Sequence, residues 1–194
     1  VCDELILLDI DATPNKRGPR FKEIEQFTSK LFCPVTIGGG VQTLDDIRGL
    51  LNAGADKVAI RSHARSPFLR DAVNKFGAQC ITVGIDYRTV HASMAVHMAR
   101  ALAGEGVGEI LLTNTDRDGT RAGYDLSTIL VVCDSVGIPV IANGGCSGPE
   151  DMLKAIQCGA HAVAASTMFL YDNVTPQDCK VYLHERNVPV RIEA

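Results

Sequence analysis

Residues 35–62 read VTIGGGVQTLDDIRGLLNAGADKVAIRS, and residues 140–167 read VIANGGCSGPEDMLKAIQCGAHAVAAST. The two stretches align without a gap at an offset of 105 residues: Gly39 falls on Gly144, Gly40 on Gly145, Asp46 on Asp151, Gly54 on Gly159 and Ala55 on Ala160. Each copy reads as a strand, a Gly-Gly turn, an amphipathic helix and a second strand. In the first copy Leu44, Ile47, Leu50 and Leu51 recur at helical spacing, with Asp45, Asp46 and Arg48 on the other face. The same offset lays Glu4 on Glu109, so that ELILLDID overlies EILLTNTD.

Outward from this pair, short β-branched runs alternate with amphipathic stretches along the whole chain. Strands are expected near 4–10, 34–37, 56–60, 80–85, 109–113, 139–142 and 161–165, and helices near 21–31, 43–52, 66–76, 93–104, 125–136, 149–158 and 175–186. The strands are almost continuously apolar, as strands covered on both faces must be, so the sheet is expected to be parallel. A duplicated βα unit favours two similar half-barrels joined into an α/β (βα)8 TIM barrel, because a doubly wound sheet gives no reason for matched Gly-Gly turns. Seven strands are read where closure needs eight. The strand near 80–86 opens the second half, and its counterpart would precede Val1. The expectation is one TIM-barrel domain over 1–194, lacking its first βα unit.

Composition narrows the class further. The 194 residues are 46% hydrophobic and 22% charged, with a formal net charge of −4. That excludes a disordered or collagen-like chain and argues against nucleic acid as the main partner, leaving room only for local basic patches. No apolar run approaches the roughly 20 residues of a membrane span, and no basic segment precedes an apolar one as in a signal peptide. A soluble, cytoplasmic chain without a membrane or nucleic-acid partner is expected. The 7 cysteines are scattered without a C-x-x-C spacing, and the 5 histidines lack ligand spacing. Reduced, buried thiols and no metal or other cofactor are therefore expected.

A barrel of this type gathers its chemistry at the C-terminal ends of the strands. There the sequence places Asp9 and Asp11, Gly38–Gly40, Arg61 and Ser62, Asp86, the run Asp116–Thr120, Asn143–Gly145, and Ser166 with Thr167. Glycine lets the backbone approach an anion closely, and N–H groups opening a helix point at it. Gly144 and Gly145 with Ala165 and Ser166 form one expected phosphate cradle; Gly40 with Arg61 and Ser62 forms the other. Two cradles at one mouth imply an elongated substrate with a phosphate at each end. Asp86 and Asp118 are candidate acid–base carboxylates. Asp116 and Arg117 are expected to pair with each other or to hydrogen-bond within their loop, and Asp9 to act as support or directly. At the opposite rim, Glu4, Lys57 and Glu109 each start a strand and are placed to form a charged ring.

ELILLDIDAT, VTIGGGV, AGADKVAIRS, EILLTNTDRDGTRAGYD, IPVIANGGCSG and AVAAST together resemble the cyclase subunit family of imidazole glycerol phosphate synthase, in order along nearly the whole chain. The resemblance implies a lyase of histidine biosynthesis. Such an enzyme takes ammonia from a glutaminase partner, through the barrel, to a bis-phosphorylated ribulosyl intermediate, and releases imidazole glycerol phosphate and an aminoimidazole carboxamide ribotide. It implies that Asp86 is one of two catalytic aspartates, the other lying in the first strand, and that Asp118 assists. Gly40 and Ser62 would hold one phosphate, and Gly145, Ala165 and Ser166 the other. Glu4, Lys57 and Glu109 would be three of four residues of an ammonia gate, and Asp56 would face the glutaminase.

Departures from the pattern accompany the match. Arg61 stands where the family usually has Asn. Tyr87 and Arg88 replace a small residue and Lys, and a hairpin insertion after Arg88 is absent. The DIDAT motif also resembles a paralogous branch that supplies ammonia for sugar-nucleotide amidation in surface polysaccharide synthesis. That activity, and a non-catalytic barrel that only docks the glutaminase, stand as alternatives. An isomerase on the same two-phosphate barrel is less favoured, because Lys57 with Glu4 and Glu109 points to the ammonia branch.

Overall fold

The computed structural model describes residues 2–61 and 63–192. They form an α/β fold of strands β1 (Leu5–Leu8), β2 (Val35–Gly38), β3 (Lys57–Ile60), β4 (Ile81–Tyr87), β5 (Glu109–Asn114), β6 (Val140–Asn143) and β7 (Ala162–Val163). The helices are α1 (Phe21–Thr28), α2 (Leu44–Asn52), α3 (Phe68–Phe76), α4 (Ala92–Gly104), α5 (Leu126–Ser135), α6 (Pro149–Gln157), α7 (Thr167–Tyr171) and α8 (Pro176–His184). Contacts divide the chain into two compact units. The first is Asp3–Gly84 with Leu102–Glu109; the second is Ile85–Ala101 with Ile110 onward, and Cys2.

In the first unit β1, β2, β3 and the start of β4 pair in parallel and in chain order. Their register aligns Ile37 with Val58 and Val58 with Ile81, so one face is large and aliphatic. The other face, one residue out of phase, carries Thr36, Ala59 and Thr82, with Lys57 at its start. Ile47 and Leu50 of α2 are fully buried, which is the stripe its spacing predicts. Thr43 begins that helix: its Oγ1 accepts the Asp46 amide at 3.1 Å, while Asp46 Oδ2 accepts the Thr43 amide at 2.9 Å.

The second unit has β5, β6 and β7 in parallel, again in chain order. Leu5 pairs with Val35 in the first unit and Ile110 with Val140 in the second, registers separated by the same 105 residues as the sequence repeat. Asp151 accepts the Ser147 amide just as Asp46 accepts that of Gln42. Lys16 and Arg121, also one offset apart, both take left-handed φ values, 51° and 58°.

Two details differ from the sequence expectation. The strand near 161–165 is only two residues long, and a short helix the periodicity did not indicate, α7, begins after Ser166. The helix expected over 21–31 stops at Thr28, whose hydroxyl donates to the carbonyls of Glu25 and Ala53 and ties the turn down.

Candidate functional site

Lys57 opens β3, and its ammonium lies 3.1 Å from Glu4 Oε2 and 3.0 Å from Glu109 Oε2. Burial alone would lower its pKa, but the hydrogen bonds and charges of the two carboxylates outweigh that and hold it above the usual lysine value. The expected ring members thus meet, all within the first unit. Thr82 joins them: its buried hydroxyl donates to Glu109 Oε1 at 2.6 Å. The sequence signal for it was a lone hydroxyl in the apolar strand CITVGI. Asp56, at the same strand ends, is exposed and accepts the Val35 amide at 2.8 Å.

The Gly-Gly turns close β2 and β6. Gly39 and Gly40 have φ of 115° and 71°; Gly144 and Gly145 have 93° and 99°. A Cβ on Gly39 would sit 2.5 Å from the Asp9 carbonyl oxygen, and one on Gly144 would sit 2.6 Å from that of Asn114. Both the handedness and the close approach therefore require glycine at these turns. Beside the first turn, Asp9 is gripped by both terminal nitrogens of Arg17, at 2.6 and 2.7 Å, and accepts the Asp11 amide. The Arg17 hydrogen bond lowers the Asp9 pKa and outweighs the effect of its burial. Asp9 thereby ties together the loop that carries Asp11 and Arg17. Arg61 is exposed at the end of β3, and Ser62 lies outside the described residues.

In the second unit Asp118, Gly144, Gly145, Ala165 and Ser166 line a single cavity. Five of the expected residues are brought together there. Asn143 and Arg121 also line it, and neither was singled out as a ligand from the sequence. Asn143 donates to Thr113 Oγ1 at 3.2 Å, and the Arg121 guanidinium pairs with Asp172 at 2.7 Å. A basic residue immediately after DRDGT was the available signal for Arg121.

The loop bearing Asp118 is wound on Asn114, whose carbonyl accepts the amides of Arg117 and Asp118. Arg117 then donates to the carbonyls of Ala122, Gly123 and Tyr124. Asp116 pairs not with Arg117 but with Arg88, at 2.8 Å, and that bond lowers its pKa. The register of β4 sets the partner: its end brings Arg88 alongside. Asp86, two residues upstream, is exposed near the end of β4, its side chain opposite in phase to buried Ile85 and Tyr87.

The cysteines are all thiols, Cys146 and Cys179 buried and the other five partly exposed. Among the described residues no cluster of three or more His, Cys, Asp or Glu is arranged to hold a metal, and no helix is long and apolar enough to cross a membrane.

The chain is thus a parallel α/β protein with left-handed glycine turns closing β2 and β6 and charged side chains beside them. The chain belongs to the histidine biosynthesis protein family, whose model matches residues 1–175. It is 43% identical over 206 aligned positions to the imidazole glycerol phosphate synthase subunit HisF of Endomicrobium trichonymphae, an alignment covering 97% of this chain and 79% of that protein.

Proposed function

We propose that the chain is the ammonia-using cyclase, a lyase, of imidazole glycerol phosphate synthase, working beside a glutaminase on a bis-phosphorylated ribulosyl substrate. The observation that carries this reading is the cavity in which Asp118 stands beside Gly144, Gly145 and Ser166: an acid group within reach of an anion cradle. One phosphate is held there by main-chain N–H groups, with Arg121 supplying positive charge. The Gly39–Gly40 turn with Arg61 and Ser62 holds the other. Fixing both ends leaves the reacting carbons to Asp86 and Asp118, which move protons as the new C–N bonds form.

The two units are read as duplicated half-barrels of one (βα)8 barrel. The shared register and turn geometry support this. Lys57, held between Glu4 and Glu109, is read as the gate through which ammonia from the glutaminase enters; Asp56 would face that partner.

A second reading, ammonia supply for sugar-nucleotide amidation, rests on the DIDAT motif at residues 9–13.

Replacement of Asp86 tests the main reading. Asp86→Asn is expected to lower ammonia-dependent turnover of the ribulosyl substrate by about 100-fold or more while inorganic phosphate still binds. Near-normal turnover overturns the catalytic assignment. Failure of the unaltered protein to support growth of a histidine auxotroph, with ammonia-dependent formation of an amidated sugar nucleotide, selects the second reading. Activation of the glutaminase without any turnover selects a purely docking role.

A further inference from the structure

Tyr87 and Asp125 are 38 residues apart in sequence and both buried, with relative exposures of 6% and 5%. The Tyr87 hydroxyl donates to Asp125 Oδ2 at 3.2 Å. The same oxygen accepts Asn114 Nδ2 at 3.2 Å and Thr128 Oγ1 at 2.7 Å, and Oδ1 accepts Ser127 Oγ at 2.7 Å. A buried carboxylate with this many donors is fully satisfied, and removing any one of them leaves charge uncompensated in a desolvated place.

Each arm of this cluster leads to one side of the reacting pair. Tyr87 follows Asp86 directly, and its own carbonyl accepts both the amide, at 2.9 Å, and the hydroxyl, at 3.1 Å, of Thr115. Asn114 turns the other way: its Oδ1 accepts the amides of Asp116 and Arg117, and its carbonyl accepts that of Asp118 at 2.9 Å. Asn114 Nδ2 also donates to Thr89 Oγ1, while Asp116 takes the Thr89 amide and Arg88 Nε. The end of β4 and the Asp118 loop are therefore joined on the surface by an exposed ion pair and beneath it by a buried hub. An exposed pair of that kind holds little on its own. The hub holds much more.

We propose that Asp125, with Tyr87 and Asn114, is a positioning centre that sets the Asp86 and Asp118 carboxylates against one another for the reaction. Neither Tyr87 nor Asp125 touches the substrate. Tyr87 fixes the strand end one residue from Asp86, Asn114 fixes the loop that carries Asp118, and Asp125 locks the two together. Burial and the Asp125 charge raise the Tyr87 pKa, so the phenol remains a donor across the working range. Hydrogen bonds from Thr128, Ser127 and Tyr87 outweigh the burial that would raise the Asp125 pKa, so it remains the ionised acceptor.

This inference rests on the catalytic reading of Asp86 and Asp118, and the experiment separates the two. Tyr87→Phe removes one oxygen and keeps the ring; Asp125→Asn keeps the shape and removes the charge. In both variants ammonia-dependent kcat is expected to fall about 10- to 100-fold, with KM for the ribulosyl substrate within about two-fold, because displacement of a reacting group costs rate rather than grip. Amide NMR signals of Asp86 and Asp118 are expected to shift together in Tyr87→Phe, with those of Ala165 and Ser166 unmoved. Unchanged kcat in Tyr87→Phe, or a shift confined to the neighbours of Tyr87 with Asp118 still in place, overturns the proposal. Should the unaltered protein not turn over the ribulosyl substrate, the catalytic reading fails alone, and the joint or separate movement of the two amide signals decides whether the hub exists.

Discussion

Asp9 illustrates how much a single carboxylate is altered by its neighbours. Two nitrogens of Arg17 approach it in the forked geometry that makes arginine–carboxylate pairs strong, and Arg20 lies 3.6 Å away. With its pKa below that of the unfolded chain, Asp9 contributes stability above the unfolded carboxylate pKa, and that contribution is lost as the pH falls through its folded value. Thermal melts of Asp9→Asn beside the unaltered protein should differ near neutrality, and the gap should close as the pH drops below about 4. A gap that persists undiminished in acid would mean that Asp9 acts through something other than its charge. From sequence Asp9 had two open readings, support or direct action. The structure adds the bidentate grip of Arg17, eight positions away along a loop whose path no periodicity describes.

The elements owe their limits to local chemistry. Thr43 and Asp46 exchange side-chain and main-chain hydrogen bonds at the start of α2, and Thr175 and Asp178 do the same at the start of α8. Thr43→Ala is expected to cost about 1 kcal/mol of unfolding free energy in urea titrations, with an unchanged slope. Because the box is reciprocal, the Thr43→Ala, Asp46→Ala double variant should lose less than the sum of the single losses. Full additivity would show that the two bonds act independently. Helices with such caps were legible from sequence to within two residues. An element ended by a distant contact was not: α1 stops early where Thr28 reaches the Ala53 carbonyl. Nor was the short β7, with α7 after it.

At the scale of the whole molecule the repeated turn is the organising feature. If each Gly-Gly turn is an anion cradle, inorganic phosphate should titrate two sites per chain. Gly40→Ala should then remove one and Gly145→Ala the other, each at a folding cost of roughly 1–3 kcal/mol for the left-handed residue. Calorimetric titration reads the stoichiometry. Two sites surviving in both variants would detach phosphate binding from these turns. By itself the sequence determined the alternation of strand and helix, the parallel sheet, the duplicated glycine turns and the acids that follow the strands. These depend on period, burial pattern and turn conformation, which are properties of neighbouring residues. Only the tertiary structure decided that Lys57 is shared between Glu4 and Glu109 with Thr82 beneath, that Asp116 turns to Arg88, and that Tyr87 meets Asp125. Hydrogen-bond partners so far apart along the chain are chosen by strand register and loop path, and neither leaves a trace in local spacing.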